Sequence, residues 1–387
     1  MTSANNTPRS VLTRRNFVKG TLAMAAAGTF LPGCKHSSGS GSNTIPVPPD
    51  FPQSISLYQQ TFINWARETI IPDVWFCSPA NPEDVITVAN WAKRHDYQLR
   101  PYGSGHGFAP TILPRGNSGR KVVLVNTSEY LNKITVDADS SVKTVTAQAG
   151  AYLEAICIEL EKYDLGFYHT TAPGDVSIAG VLAMNAHGAA LPATGETLQA
   201  GHSWGSLSNL ILSITAVAWN DAKSEYELKT FQRDDPLIGP LLTCLARAFI
   251  TEVTLQVGPN LKVRCQSSCN LKVDDLLDAP ENNNPDSFAN LSDTYGTVDI
   301  LFYPFAPDGT AWVKTWTVTP TKPSTSREVL EPYNYHALAM TPEQADQLTK
   351  QLQANNGAWV PNYNELARNG IASLIQDTDP TTQVYDL

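Results

Sequence analysis

The chain has 387 residues, of which 42% are hydrophobic and 17% are charged, a composition typical of a globular protein with two or three domains. This composition excludes an intrinsically disordered chain and a chain built mainly of membrane-spanning segments. The formal net charge is −10 and there is no long run of lysine and arginine. Nucleic acid is therefore not expected as a partner, because phosphate binding needs clustered cations.

Residues 1–34 are typical of a twin-arginine export signal. Arg14 and Arg15 precede an apolar run that is too short to span a bilayer as a stable helix. We therefore expect an exported protein that is either periplasmic or secreted. The end of this segment resembles a lipobox, so attachment of a lipid at Cys34 is an open alternative.

After a Ser/Gly- and Pro-rich linker at residues 35–50, the sequence alternates helix and strand patterns. Asn81 followed by Pro82 and two acidic residues predicts the start of a helix that continues to about His95. A second helix is predicted by apolar residues at helical spacing within residues 151–164.

Strand patterns occur on both sides of these helices. They are predicted at residues 97–102 and 121–126, in a hairpin within 134–150, in a hairpin that turns at 220–221, and at 250–258. From residue 259 the chain is richer in asparagine, proline and aromatic residues. The sequence therefore predicts an α+β protein with one domain at 51–258 and another at 259–387.

The stretch RPYGSGHG at residues 100–107, which we call the glycine loop, can adopt a wider range of backbone conformations than other parts of the chain because it is rich in glycine. Glycine alternates at positions 103, 105 and 107 around His106. Glycine is used where the backbone takes a positive φ or lies close to a ligand. Taken alone, the same spacing also fits an ordinary tight loop.

A second small-residue segment, residues 171–195, surrounds a short apolar helix, and we call it the second loop. Its small and polar positions are Gly174, Ser177, Gly180, Asn185 and Gly188. Free backbone amides in such a segment can bind a diphosphate. Two separate loops of this kind predict a long anionic cofactor lying between them. There is no strand–GxGxxG–helix unit, which argues against a nicotinamide-binding fold.

No metal site is predicted. Cys265 and Cys269 are close in sequence and are candidates for a disulfide, but no histidine or further cysteine completes a zinc pattern around them.

Several long segments resemble a known flavoprotein family. The glycine loop, APGDVSIAGVLAMNAHGAALP and AFITEVTLQV resemble the FAD-binding (PCMH-type) half of the vanillyl-alcohol oxidase superfamily. NAHGAALP, GHSWGSLSNLI, RCQSSC, LFYPF and VKTWTVTPTKP resemble the type II, covalent-flavin cholesterol oxidases from about residue 50 to the end of the chain. The resemblance implies an FAD-binding domain at 51–258 and an α+β substrate-binding domain at 259–387.

The resemblance also implies roles for individual residues. His106 matches the histidine that is bonded to the 8α-methyl group of FAD. The other cofactor-binding positions that it implies are Arg100, Tyr102, Gly103, Ser104, Gly105, Gly107, Pro173, Gly174, Ser177, Gly180, Asn185, Gly188 and Ile250.

The family activity implied is oxidation of a 3β-hydroxysterol such as cholesterol to the 3-keto-4-ene steroid, with O2 reduced to H2O2. A carboxylate in an apolar pocket suits the proton transfers of that reaction, and Asp299 stands where the family carries a glutamate. An exposed aspartate at a strand end is the alternative. Aromatic residues that would suit a sterol, or equally an ordinary sheet core, are Phe302, Tyr303, Phe305, Trp312, Trp316, Tyr333 and Tyr335.

One departure from the family concerns the C-terminus. The family continues past the position of Leu387 with further strands and with a glutamate–arginine pair near the flavin, so we expect the substrate-binding domain to be incomplete. The alternatives are an FAD-linked oxidase of the same fold that acts on a sugar, a lactone or an aromatic alcohol, and an inactive truncated envelope protein. A sterol oxidase would also be expected to contact a membrane or lipid surface peripherally when it extracts its substrate.

Overall fold

The computed structural model describes residues 45–65, 69–107, 113, 121–189, 191–305, 308–326, 342–366 and 384–386. The predicted export signal with Cys34 lies outside these residues, as do Tyr333 and Tyr335. Within the described ranges, no helix has the length and apolar character needed to cross a membrane.

The described elements alternate helix and strand, which confirms the α+β class. The strands are β1 (Ser56–Ile63), β2 (Ile70–Ser78), β3 (Gln98–Tyr102), β4 (Val122–Asn126), β5 (Ile134–Asp137), β6 (Thr144–Gln148), β7 (Leu165–Gly166), β8 (Ile211–Asn220), β9 (Glu225–Gln232), β10 (Ile250–Gln256), β11 (Gly258–Pro259), β12 (Val263–Lys272), β13 (Thr297–Phe302), β14 (Thr310–Val318) and β15 (Val384–Asp386). The helices are α1 (Pro82–His95), α2 (Leu153–Glu161), α3 (Ile178–Ala183), α4 (Gly239–Leu242), α5 (Val273–Leu276), α6 (Phe288–Tyr295) and α7 (Pro342–Gln353), with short 3-10 turns between some of them.

The first helix forms where the sequence predicts it. The Asn81 side chain accepts a hydrogen bond from the Asp84 N–H at 2.8 Å, and Pro82 occupies the first turn, where its missing N–H costs nothing. The helix ends at Asp96, which takes a left-handed conformation with φ 58°. Its apolar face, including Val88 and Trp91, is buried.

A mixed four-stranded sheet in the order β1-β2-β4-β3 carries the glycine loop. Strands β2 and β3 both run parallel to β4, and β1 is antiparallel to β2. The glycine loop begins within β3 and continues directly beyond its carboxyl end. Functional loops commonly follow the carboxyl ends of parallel strands, so this position suits a binding loop.

A five-stranded antiparallel sheet in the order β5-β6-β10-β8-β9 forms the second layer, and the two predicted hairpins are confirmed in it. The largest hydrophobic core lies between this sheet and helices α2 and α3. The Asn90 side chain joins α1 to strand β9 of this sheet, because it donates to the Tyr226 carbonyl at 3.0 Å and accepts from the Tyr226 N–H at 2.7 Å.

The last sheet, in the order β13-β14-β12-β15, begins after the five-stranded sheet has ended at β10. The predicted domain boundary at 258/259 falls between the two sheets and stays a prediction. One face of the last sheet packs on α5 and α6 through a core that contains Leu276, Leu291 and Val313. Side chains on the opposite face of the sheet point away from this core and can make other contacts.

The disulfide suggested for Cys265 and Cys269 does not fit this sheet. Both cysteines are buried on strand β12. Residues four apart on an extended strand lie about 13 Å apart at Cα, roughly twice the separation that a disulfide spans.

Candidate functional site

The glycine loop and the second loop are in direct contact. The Ser177 N–H donates to Ser104 Oγ at 3.3 Å across 73 residues of sequence. A Cβ atom placed on Gly103 would lie only 2.0 Å from Ser177 Oγ. The structure therefore brings together predicted site residues from both loops, and this close approach requires glycine at position 103.

Two residues that directly follow β1 also hold the glycine loop. The Trp65 N–H donates to the Gly105 carbonyl at 2.7 Å, and Asn64 Nδ2 donates to the Gly107 carbonyl at 3.0 Å. Gly105 has φ +76°, a conformation that costs other residues free energy. These contacts fix the backbone immediately before and after His106.

The His106 side chain is held on its face and on its edge. The Trp65 ring stacks on the imidazole with 5.0 Å between ring centroids and 21° between planes. His106 Nε2 lies 3.4 Å from Asp175 Oδ1, which belongs to the second loop. The imidazole is 17% exposed, so it is partly shielded and still open to a ligand.

Tyr102 anchors the start of the glycine loop. Its carbonyl accepts hydrogen bonds from the Thr127 N–H at 2.9 Å and from Thr127 Oγ1 at 3.0 Å. Burial, together with the nearby Tyr152 and Tyr58, raises the pKa of the Tyr102 phenol, which therefore stays neutral. Arg100 lies on β3 opposite Leu124.

Ser128 provides a test of whether a polar cofactor fits beside these loops. Its Oγ is buried and finds no hydrogen-bond partner among the described residues. It lies 3.9 Å from the position that a Cβ atom on Gly103 would take. A buried hydroxyl without a partner is costly, so this position fits a polar group of a bound ligand. Together with the accessible imidazole of His106, the residues present fit FAD.

Three other predicted positions of the second loop have backbone roles. The Pro173 carbonyl accepts from Thr171 Oγ1 at 2.8 Å, and the Gly174 carbonyl accepts from the Glu154 N–H of α2 at 2.9 Å. The Gly180 carbonyl accepts from the Met184 N–H at the end of α3. These bonds shape the loop between the two helices.

The remaining predicted positions are held by other partners. The Gly188 N–H donates to His169 Nδ1 at 3.2 Å. Asn185 has φ 54°, and its side chain accepts from Thr243 Oγ1 at 3.5 Å. Ile250 is buried on β10 opposite Ala216. Within the described part of the chain, these hydrogen bonds and this strand pairing do not join the three residues to the glycine loop.

A cluster of titratable side chains lies behind the second loop. Burial, and then the nearby charge of His187, lower the pKa of His169 to about 4, so this ring is neutral at pH 7. The Tyr168 hydroxyl donates to the Glu196 carboxylate, and burial raises the pKa of Tyr168.

A cavity of about 310 Å³ adjoins this cluster. Its lining includes Tyr168 and Glu196 from the region of the second loop, and Tyr295 and Thr317 from the region of the last sheet. Residues flanking the second loop and residues of the last sheet and its helix α6 therefore line one cavity that is open to solvent.

Asp299 is found within β13 rather than at a strand end. The register of the sheet places it opposite Lys314 on β14, with 2.6 Å between Lys314 Nζ and Asp299 Oδ2. The same ammonium lies 4.8 Å from the centroid of the Trp312 ring. The carboxylate is 42% exposed and has a cation beside it, whereas the sequence suggested an apolar pocket. Its catalytic role stays a prediction.

The aromatic residues of β14 share the face that carries this ion pair. Trp312, Lys314 and Trp316 alternate with the core residues Ala311 and Val313, so the pleat places them on the opposite side of the sheet. The indole N–H of Trp312 donates to the Ser267 hydroxyl of β12. Trp312, Lys314 and Trp316 thus build an amphipathic face, and the ion pair of Lys314 with Asp299 lies on it.

The other aromatic residues named from the sequence lie towards the end of β13 and beyond it. Phe302 and Phe305 are about half-exposed, and Tyr303 is buried.

Sequence reasoning missed four residues that complete these arrangements: Trp65, Ser128, Asp175 and Lys314. Asp175 lies inside the second loop, where an acid beside small residues was a signal that could have been followed. The other three are placed by tertiary contacts, for which the sequence holds no local pattern.

Comparisons with known proteins agree with this architecture. The family model of the FAD binding domain matches residues 75–213, and the model described as cholesterol oxidase, substrate-binding, matches residues 262–382. A crystal structure of cholesterol oxidase from Brevibacterium sterolicum is 42% identical, covers 88% of this chain and 62% of its own, and has a TM-score of 0.80. A solvent-stable cholesterol oxidase is 41% identical, with coverage of 85% and 61% and a TM-score of 0.79.

Among curated proteins, L-gulonolactone oxidase of Bos taurus is 24% identical over 208 residues, which are 52% of this chain and 41% of that protein. The chain thus spans less than two thirds of the length of each of these relatives.

Proposed function

Because this chain belongs to the family that joins an FAD binding domain to a cholesterol oxidase substrate-binding domain, we propose that it is an FAD-dependent oxidase of a 3β-hydroxysterol. The products would be the 3-keto-4-ene steroid and H2O2, with O2 as the electron acceptor. The chemistry that FAD supplies when bound is acceptance of the hydride from C3 of the sterol and transfer of two electrons to O2.

The observation that carries the sterol proposal is the amphipathic face of the last sheet, which lies within the matched substrate-binding region. A sterol is a rigid apolar ring system with one hydroxyl group. Trp312 and Trp316 offer apolar area to the rings, and Asp299 with Lys314 offers a polar group within the same face. A lactone or sugar substrate would need more hydrogen-bonding groups and less apolar area.

In this proposal Asp299 is the residue that moves protons. As a carboxylate it can accept a proton from the ring carbon next to the new ketone and return it further along the ring, which shifts the double bond. Lys314, at 2.6 Å, places a positive charge beside the carboxylate and holds it in position on the sheet. Trp312 limits the movement of Lys314 by contact with its ammonium group.

We further propose that His106 binds FAD covalently. The support is its position between two glycine residues whose carbonyls are fixed, with an imidazole that is partly shielded and reachable. A covalent link keeps the cofactor on the protein and generally raises the potential of a flavin. Both effects suit an exported oxidase, and residues 1–34 support export by the twin-arginine route, with lipid attachment at Cys34 as an open addition.

The test uses the purified full chain after export. Flavin is measured by visible absorbance before and after acid precipitation, and H2O2 release is measured with cholesterol, with L-gulono-1,4-lactone and with vanillyl alcohol. A yellow pellet and peroxide release with cholesterol alone would support the proposal. Release with the lactone or the aromatic alcohol would replace the sterol by that class. A flavin-containing chain that releases no peroxide with any of them would refute the oxidase activity of this chain.

A further inference from the structure

We propose that Asp175 is the positioning residue for attachment of FAD to His106, and that it directs the bond to Nδ1 of the imidazole. This inference rests on the covalent link proposed above. It deepens that proposal by naming the residue that selects the reacting nitrogen.

The carboxylate of Asp175 lies beside the Nε2 nitrogen of the His106 ring. His106 Nε2 lies 3.4 Å from Asp175 Oδ1. A neutral imidazole carries its proton on one nitrogen and a lone pair on the other, and a carboxylate close to one nitrogen favours the proton there. The proton therefore stays on Nε2, and the lone pair is on Nδ1. Nδ1 is then the nucleophile.

Stacking on Trp65 restricts the plane of the ring. The imidazole and the indole lie 5.0 Å apart at 21°. A ring flip about the Cβ–Cγ bond would exchange the two edges, and it would move Nε2 away from the carboxylate. The stacked plane and the charged edge together leave one preferred orientation of the His106 side chain.

Both partners are anchored through their neighbours in sequence. The carbonyls of Gly174 and Val176, on either side of Asp175, each accept a hydrogen bond at 2.9 Å from an N–H at the start of α2. The carbonyls of Gly105 and Gly107, on either side of His106, accept bonds from Trp65 and Asn64. The distance between the carboxylate and the imidazole is therefore set by fixed backbone segments and not by two mobile side chains alone.

The attachment step balances with O2 as the oxidant. A bond forms between His106 Nδ1 and the 8α carbon of the flavin, while the imidazole loses its ring proton and the 8α-methyl group loses one hydrogen. The two electrons released pass to the flavin ring and then, with two protons, to O2, which becomes H2O2. Asp175 holds Nε2–H while Nδ1 attacks, and can take up that proton when the ring nitrogen becomes bonded.

The experiment follows attachment without using turnover. Apoprotein is mixed with FAD in air, and samples taken over time are acid-precipitated and read by in-gel flavin fluorescence and by intact mass. Noncovalent FAD binding and the melting temperature are measured in parallel. The variants are Asp175→Ala, Asp175→Asn and Asp175→Glu. Asp139→Ala is the matched control, because Asp139 is an exposed acid in the β5–β6 turn.

We expect Asp175→Ala to slow attachment by at least about tenfold, the effect of losing one charge-assisted contact, with FAD binding and melting temperature little changed. Asp175→Asn should be slowed as well, Asp175→Glu should recover part of the rate, and Asp139→Ala should match the parent. In the parent apoprotein, 15N NMR of His106 should show the Nε2–H tautomer, and the digested flavin peptide should carry the flavin on Nδ1.

Two outcomes would overturn the inference, and only the first would also refute the covalent link at His106. If the parent chain binds FAD but forms no covalent bond, the proposed attachment at His106 fails and the role of Asp175 fails with it. If the parent forms the bond and Asp175→Ala forms it at the same rate, or if the flavin is on Nε2, only the role of Asp175 is wrong. If Asp175→Ala does not fold, the rate of Asp175→Asn and the NMR tautomer of the parent decide between these outcomes.

Discussion

Replacing Gly103 by alanine tests whether the two loops meet as the structure describes. The added Cβ atom would lie 2.0 Å from Ser177 Oγ and 2.8 Å from Ser177 Cβ, so one of the loops must move by about 1 Å to reach an ordinary contact. The backbone of Gly103 has no positive φ, so the effect comes from the clash and not from backbone strain. Overpacking of this kind costs about 1–3 kcal/mol of unfolding free energy.

The assay is urea unfolding of the parent and of Gly103→Ala, together with the amount of FAD that each retains. Gly239→Ala is the control, since its added Cβ meets nothing within 4 Å and its φ is not positive. Ser177→Gly in the Gly103→Ala background removes both clashing atoms and should restore most of the loss. Equal stability and equal FAD retention in Gly103→Ala and Gly239→Ala would refute the loop contact.

Three further outcomes are expected. Asp299→Asn should lower sterol turnover by about 100-fold or more with the melting temperature retained, and unchanged peroxide release would remove Asp299 from the mechanism. Lys314→Met should also lower turnover while FAD content stays the same, and an unaffected rate would mean that the ion pair is only structural. For His169, burial holds the folded pKa at about 4 against an ordinary 6.5, so the stability due to its neutral ring is complete above pH 6.5 and is lost as pH falls towards 4. Between pH 7 and pH 4, the free energy of unfolding measured with urea should therefore fall by up to about 3 kcal/mol less in His169→Gln than in the parent. An identical pH profile in the variant would show that His169 does not cause the loss.

The parts of the fold that the sequence predicts are those with local causes. Helix α1 starts and stops at residues whose capping groups lie within four positions of the ends, and the two hairpins show alternation on both strands. The glycine loop could be found because its composition is unusual over eight residues. The start and end of such segments depend only on neighbouring residues, so a single sequence is sufficient to find them.

The parts that could not be predicted depend on register and on tertiary contact. Asp299 meets Lys314 only because β13 and β14 pair in one particular register. A shift of one residue would turn Asp299 towards the core of Leu291 and Val313. Likewise, Asp175 approaches His106 only when two loops from different sheets and helices are packed together. The spacing of residues within either loop carries no information about the distance between Asp175 and His106.

The glycine loop shows why composition alone does not predict a cofactor site. Gly103 is required by the close approach of Ser177, and Gly105 by its φ of +76°, and both are reasons that an ordinary tight loop would share. What separates this loop from an ordinary one is the residue between the glycines: His106 has a stacked face, one edge beside a carboxylate and the other edge without an assigned partner among its described contacts. A side chain oriented in this way, in a loop whose Gly103 lies close to the buried and unpaired hydroxyl of Ser128, is arranged for a ligand and not for closing the loop itself.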